Sequence, residues 1–369
     1  MFEGSGHVKE GEFDRLLESA GGDNNGSTTT DHTYYYIDVP SNALELALYL
    51  ESDRMGYLLD AMSPERVNGQ RDVVKNERRQ SFENRPYGMA SIELDQMLYP
   101  ENHPYHWPTI GYMEDLTAAT YDDVVEFFKK YYTPNNASLV VAGDIDPAAA
   151  RQLVEKLFGE IKRGPFVEPI APPAAFLTEV KRKTITDRVQ LPRRYISWLT
   201  PAQFEPADAA LDVAASVLAG GKNSRLYRRL IYDQQIAQDV SAYQASSALS
   251  SSFLVVATAR PGHTIEEIQR IIDEEIEKLK QNPPEPREIE RVVNQIEASL
   301  YDKLERVGSY RGKAAQLNEY YSETGDPDYF AEDLMRYRAL SPSDIQAAVL
   351  RYLPPDRRVE VTVMPEDAK

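Results

Sequence analysis

The segment DVVEFFKKYYTPNNASLVVAG, residues 123–143, decides the fold, because its pattern returns as DIQAAVLRYLPPDRRVEVTV at residues 344–363. In both copies an acidic residue opens an amphipathic stretch, a tyrosine stands near its end and a proline stops it. An alternating or apolar run follows, so each copy predicts a capped helix and then a strand. Asp123 and Asp344, Tyr131 and Tyr352, and Pro134 and Pro355 are each 221 residues apart. Further upstream, TYYYIDVP ends at Pro40 and FLVVATARP ends at Pro261, with the same separation, and each precedes an apolar-periodic helix. One such match could be chance; one register held over about 90 residues predicts duplicated domains.

The stretch between the copies is easy to place. RGPFVEPIAPPAAF, residues 163–176, carries four prolines and little periodicity, so it should run extended. The expected division is an N-terminal domain at 1–163, a linker at 164–180 and a homologous C-terminal domain at 181–369. The second half opens with the strand YISWLT and the helix PADAALDVAASVLAGG before Lys222, which at the 221 offset corresponds to Met1. The first half therefore begins as if in mid-domain, short of its opening strand and helix by roughly 40 residues on the repeat logic. MFEGSGHVKEGEFDRLLESAGG fits that view: a Gly/Ser turn leads at once into a helix built on Phe13, Leu16 and Leu17. Strands come as adjacent pairs, as inside 238–260, and long helices follow at 264–281 and 286–306. The expected class is α+β, two tandem homologous domains, each a mostly antiparallel sheet with helices packed on one face.

Composition narrows the function. The 369 residues suffice for two or three domains with real cores. The chain contains no cysteine, which excludes disulfides, thiol catalysis and thiolate metal sites. A net charge of −18 argues against nucleic acid as a partner. The longest apolar run, FLVVATA, falls far short of the about 20 residues of a membrane span.

Several segments resemble the pitrilysin/insulinase/mitochondrial-processing-peptidase family of zinc peptidases: residues 1–45, QRDVVKNERRQSFENRPYG, ENHPYHWPTIG and LAGGKNSRLYRRL. Members carry an inverted zinc motif, H-x-x-E-H, on a helix just before an MFEGS-like turn. Its two histidines lie one helical turn apart and bind Zn²⁺, and its Glu is the base toward a metal-bound water. A third ligand, a Glu from a later helix, matches Glu77 in VVKNERRQ. By spacing alone, a Glu in so charged a helix reads as a solvated surface residue; the resemblance makes it a ligand. An acidic residue often found two turns before it is Gln70 here. The resemblance also implies that NNGSTTTDHTYYYIDV holds the edge strand to which extended peptides add, with Asn25, Gly26, Ser27 and Thr28 nearest the scissile bond. Read without it, those residues are an ordinary polar strand end.

The inverted motif itself is absent. His7, His32, His103, His106 and His263 include no H-x-x-E-H. The expectation is that the base and both histidine ligands lie upstream of Met1, on the helix that the repeat also finds missing. His103 and His106 form H-x-x-H, but His103 precedes a proline and reads as a loop residue packed on Tyr105 and Trp107. AGGKNS at 219–224 lacks the spacing of a phosphate loop and reads as a helix-ending turn. NGS and NAS are glycosylation sequons by pattern only.

One departure bears on assembly. Single-chain members place an Arg and a Tyr seven residues apart in the second half, where they contact the substrate carbonyl. The matching positions here are Ile231 and Gln238. By resemblance this implies a zinc-bearing subunit with a paralogous partner that supplies the Arg/Tyr pair, and points to the periplasm. The reading is a zinc metalloendopeptidase subunit acting on extended peptides; the alternative is a non-catalytic scaffold or peptide-binding subunit of the same family.

Overall fold

The computed structural model describes residues 3–366. The first half holds helix α1 (Glu12–Ser19), strands β1 (Asp23–Thr28) and β2 (Thr33–Asp38), and helices α2 (Leu44–Tyr57), α3 (Pro64–Arg78), α4 (Ala90–Leu98), α5 (Met113–Ala118), α6 (Tyr121–Tyr131) and α7 (Pro147–Phe158). The second half opens with strands β3 (Lys181–Asp187) and β4 (Arg193–Thr200), helix α8 (Asp208–Ala219), and strands β5 (Ala237–Ala245) and β6 (Ser251–Ala259). It closes with helices α9 (Ile265–Gln281), α10 (Pro286–Glu305), α11 (Lys313–Thr324), α12 (Phe330–Arg338) and α13 (Pro342–Tyr352), then strand β7 (Val359–Pro365). Residues 163–176 carry neither helix nor strand.

The duplication shows in the elements. Helices α2 and α9 start at Leu44 and Ile265, and α6 and α13 at Tyr121 and Pro342, 221 residues apart in each case. Both α6 and α13 begin with a capping box, Thr120 with Asp123 and Ser341 with Asp344. The chain packs as two compact units. One comprises Met1–Asn76, Gly111–Ile170 and Leu300–Phe330; the other comprises Glu77–Ile110, Ala171–Ser299 and Ala331–Lys369. The break after Ile170 falls inside the proline-rich stretch. The two transposed stretches are themselves repeat counterparts, since 77–110 shifted by 221 becomes 298–331. The division at 1–163, 164–180 and 181–369 stays a proposal about the repeat.

The second unit is built on a five-stranded sheet in the order β3-β7-β4-β6-β5, antiparallel except for the β3–β7 pair. Strand alternation sorts its side chains. Ile196, Trp198, Phe253, Val255 and Ala257 face the large core that α8, α9 and α13 cover. Helix α9 contributes an apolar stripe, Ile265, Ile268, Ile272, Ile276 and Leu279, at helical spacing. On the opposite face Leu254, Val256, Val359, Val361 and Val363 pack with Ala90, Leu94 and Leu98 of α4. Helices α8, α9 and α13 lie on one face as expected, α4 from the first half lies on the other, and α11 belongs to the first unit.

The first unit has the smaller core, Val8, Phe13, Leu17 and Leu50, with Ile37, Val39 and Leu46 against it. Its sheet is the antiparallel hairpin β1–β2. The strand expected after Pro134 is not formed: residues 137–142 run without strand pairing. The physical reason lies in its counterpart, β7, which is held between β3 and β4. Among the described residues the first unit has no strand in the place of β4, so this apolar run has no ladder to join.

Candidate functional site

The hairpin is set by the turn that follows α1. Gly21 takes φ +78, a left-handed value that a glycine adopts without strain, and reverses the chain into β1. The β1–β2 register pairs Asn25 with Tyr36, Gly26 with Tyr35, Ser27 with Tyr34 and Thr28 with Thr33. At the tip the Thr29 N–H donates to the His32 carbonyl at 2.9 Å. In an antiparallel ladder bonded and non-bonded pairs alternate. That tip bond therefore makes 27/34 and 25/36 the bonded pairs and turns the main-chain groups of Asn24, Gly26 and Thr28 away from β2. The Gly26 N–H, accordingly, donates to the Asn25 side-chain oxygen at 2.8 Å. Among the described residues no third strand joins this edge of β1.

Behind the edge the hairpin is stiffened by aromatic rings. Tyr35 shares a hydroxyl bond with Tyr132 at 3.1 Å, and the Arg54 guanidinium lies 4.1 Å over the Tyr35 ring. Burial pushes the Tyr34 and Tyr35 hydroxyls well above their ordinary range, so both stay neutral. At the tip, burial lowers His32, outweighing the opposing pull of Asp31 and Glu319. Sequence reasoning missed what fixes the opening turn. Asp53, 2% exposed on α2, accepts from the Ser5 hydroxyl, from the His7 N–H at 3.1 Å, and meets His7 Nδ1 at 2.5 Å. The available signal was an Asp in the middle of an otherwise apolar-periodic helix.

Asn25, Gly26, Ser27 and Thr28 are thus brought together on one open strand. Glu77 belongs to the other compact unit, in the last turn of α3, where it is exposed. Helix α3 buries only Arg78, which is paired with Glu83, and leaves Val73 54% exposed. Gln70 is exposed two turns earlier. Among the described residues no group of three or more His, Asp or Glu is placed to hold a metal ion. The residues present therefore do not make a zinc centre by themselves, and Glu77 is a lone candidate ligand.

The other singled-out residues have structural roles. His103 is 1% exposed, stacks on Tyr99 at 4.7 Å, meets Tyr105 edge-on at 5.1 Å, and accepts the Tyr105 N–H at 3.0 Å. Burial lowers its pKa. Trp107, expected beside it, is 51% exposed. Gly220 ends α8, and Gly221 follows at φ +83, so AGGKNS is a helix-ending turn. Ile231 is half-buried in the π-helical turn Tyr227–Asp233, and Gln238 is exposed on β5. No helix among the described residues is long and apolar enough to cross a membrane.

Comparison with known proteins places this architecture. Residues 1–96 match the insulinase family (peptidase family M16), and residues 118–296 match the domain described as the peptidase M16 inactive domain. The chain is 29% identical over 334 residues to zinc protease PqqE of Helicobacter pylori, covering 89% of this chain and 74% of that protein. It is 22% identical over 311 residues to a probable mitochondrial-processing peptidase subunit beta of Arabidopsis thaliana, covering 81% and 57%. The crystal structure of a protease from Helicobacter pylori superposes with a TM-score of 0.88 at 27% identity, over 99% of this chain and 86% of that one. The chain belongs to the insulinase, or M16, family of peptidases.

Proposed function

We propose that this chain is a subunit of a zinc metalloendopeptidase that takes extended peptides as an added strand on β1. The observation that supports this best is the open edge at Asn24, Gly26 and Thr28. An edge of this kind gives affinity through main-chain bonds and little sequence selectivity. Asn25, Gly26, Ser27 and Thr28 would lie along the peptide.

Zinc in this reading would be held by Glu77 with two histidines, beside a glutamate base, that these 369 residues do not contain. One carboxylate is a poor site, so the chain by itself should neither hold zinc tightly nor cleave peptides. Bound zinc would supply an acidified water as nucleophile. With Ile231 and Gln238 at the positions of the Arg/Tyr pair, the substrate carbonyl would be met by a paralogous partner subunit. The periplasm is the proposed compartment. The test is cleavage of an internally quenched peptide by the protein isolated with its partners. Cleavage abolished by a chelator and restored by zinc supports the proposal; cleavage unaffected by the chelator contradicts it.

A second reading is favoured by one observation. The longer family match, over residues 118–296, is to the domain described as the peptidase M16 inactive domain. On that reading the chain is a non-catalytic scaffold or peptide-binding subunit, which would bind peptides on β1 and leave them intact.

A further inference from the structure

The second compact unit carries a cleft of about 750 Å³, lined by long charged side chains, between α9 and the β3–β7–β4 side of the sheet. Its floor follows from strand alternation. Because Val359, Val361 and Val363 face α4, Arg358 and Glu360 face α9. Glu360 is 3% exposed and is reached by three guanidiniums: Arg358 Nε at 2.8 Å, Arg182 Nε at 2.9 Å and Arg194 Nη1 at 3.2 Å. Arg358 also holds both oxygens of Asp273, at 2.5 and 3.1 Å. Two further acids at the cleft, Glu274 and Glu277, are already engaged by Arg229 and Lys280. Glu266 is 80% exposed and 3.9 Å from Arg194 Nη2. Four guanidiniums, those of Arg182, Arg194, Arg270 and Arg358, therefore face the three carboxylates of Glu266, Asp273 and Glu360. With Glu274 and Glu277 the lining holds five carboxylates to four guanidiniums, so it is the unpaired donor at Arg194 and not net charge that calls for an anion.

Two buried atoms in the cleft lack partners. The Arg194 side chain carries an Nε–H with no acceptor, and Gln269 an Oε1 with no donor, its Nε2 being given to Asp273 at 3.0 and 3.1 Å. A buried donor or acceptor left unpaired in this way keeps its full desolvation cost. Burial also pulls the Arg194 guanidinium below its ordinary pKa, ahead of the opposing pull of Glu360. The cleft thus holds a cation that its neighbours do not fully compensate.

The group that answers both atoms must carry negative charge, accept from a guanidinium and donate to an amide oxygen. An ionised carboxylate cannot donate, and a phosphate monoester has lost most of its P–OH by about pH 7.5. Monohydrogen phosphate keeps one. We infer that this cleft is a binding site for inorganic phosphate, with a P–O⁻ accepting from Arg194 Nε, the P–OH donating to Gln269 Oε1, and Arg182 and Arg270 at the mouth. Glu266 is the competing anion that the ligand displaces from Arg194. The site is independent of the peptide edge and of zinc.

Isothermal titration of the full chain with inorganic phosphate, at ionic strength held constant with chloride, tests this. The expected result is one saturable site. Arg182 is largely exposed, so Arg182→Gln should fold normally and weaken binding about tenfold, the worth of one charge-assisted bond. Glu266→Gln should tighten it, and phenyl phosphate should bind about tenfold more weakly than inorganic phosphate. Absence of saturable binding, or binding indifferent to both substitutions, would overturn the site and leave water as the partner of the two orphans. Phenyl phosphate binding as tightly as inorganic phosphate would overturn the assignment of the ligand.

Discussion

Thr120 and Ser341 close the same capping box 221 residues apart. Their hydroxyls accept the N–H of Asp123 at 3.2 Å and of Asp344 at 3.3 Å, and each Asp accepts the cap residue's own N–H at 2.8 Å. Helix α13 buries Ile345, Ala348 and Val349 in the larger core, so its cap is coupled to the stability of the second unit. Ser341→Ala should cost about 1 kcal/mol in urea unfolding followed by circular dichroism. An unchanged midpoint would show that the cap contributes nothing.

Leu94 tests the assignment of residues 77–110 to the second unit. It is 4% exposed and packs in the cluster with Leu254, Val256 and Val361. Leu94→Ala should cost about 2–5 kcal/mol, the usual range for such a truncation in a core that cannot collapse. Ser91, exposed on the same helix, is the control and its replacement by Ala should be nearly neutral. Equal small effects at both positions would mean that α4 is not docked on the sheet.

Asp95, also on α4, gives a pH signature. Burial pushes its carboxyl up to about 7. Between its unfolded value of 3.8 and 7 the folded state holds the proton and the unfolded state does not, so stability falls as pH rises through that window. Asp95→Asn removes the dependence. The variant should be more stable than the parent at about pH 8, by on the order of 1–2 kcal/mol, and should lose that advantage by about pH 4. A variant less stable than the parent at the higher pH would show that the charged form is favoured in the fold.

Gly26 tests the peptide edge. Its main chain faces away from β2, so Gly26→Pro deletes an outward N–H without breaking the hairpin ladder. A fluorescent extended peptide should bind at least about tenfold more weakly to the variant, the two compared where circular dichroism shows both folded. Undiminished binding would place the peptide elsewhere.

Much of this architecture was legible in the sequence because it is locally encoded. The Thr120 and Ser341 caps, the tyrosine-rich β2 and the prolines of 163–176 each carry their own signal within a few residues. The exchange of 77–110 for 300–330 between units was not. The periodicity of α4 shows that Ala90, Leu94 and Leu98 need cover, but not which sheet provides it. The apolar run 137–142 misled for the same reason, since a strand forms only where a neighbour completes its ladder. Asn25–Thr28 and Glu77 are candidates through family resemblance alone; their local patterns read as a polar strand end and a charged helix face. The arginine cleft was invisible, because Arg182, Arg194, Gln269 and Arg358 meet only after β3, β4, α9 and β7 have assembled.

The zinc content of the protein isolated from its own source, measured beside the Glu77→Gln variant prepared in the same way, tests the central claim most directly. If Glu77 joins two histidines outside these 369 residues, the isolated protein should carry close to one zinc per copy and lose it on Glu77→Gln, by at least about tenfold in affinity. A metal-free parent, or zinc retained undiminished in the variant, would contradict Glu77 as a ligand. A metal-free parent that still bound peptides on β1 would establish the non-catalytic reading.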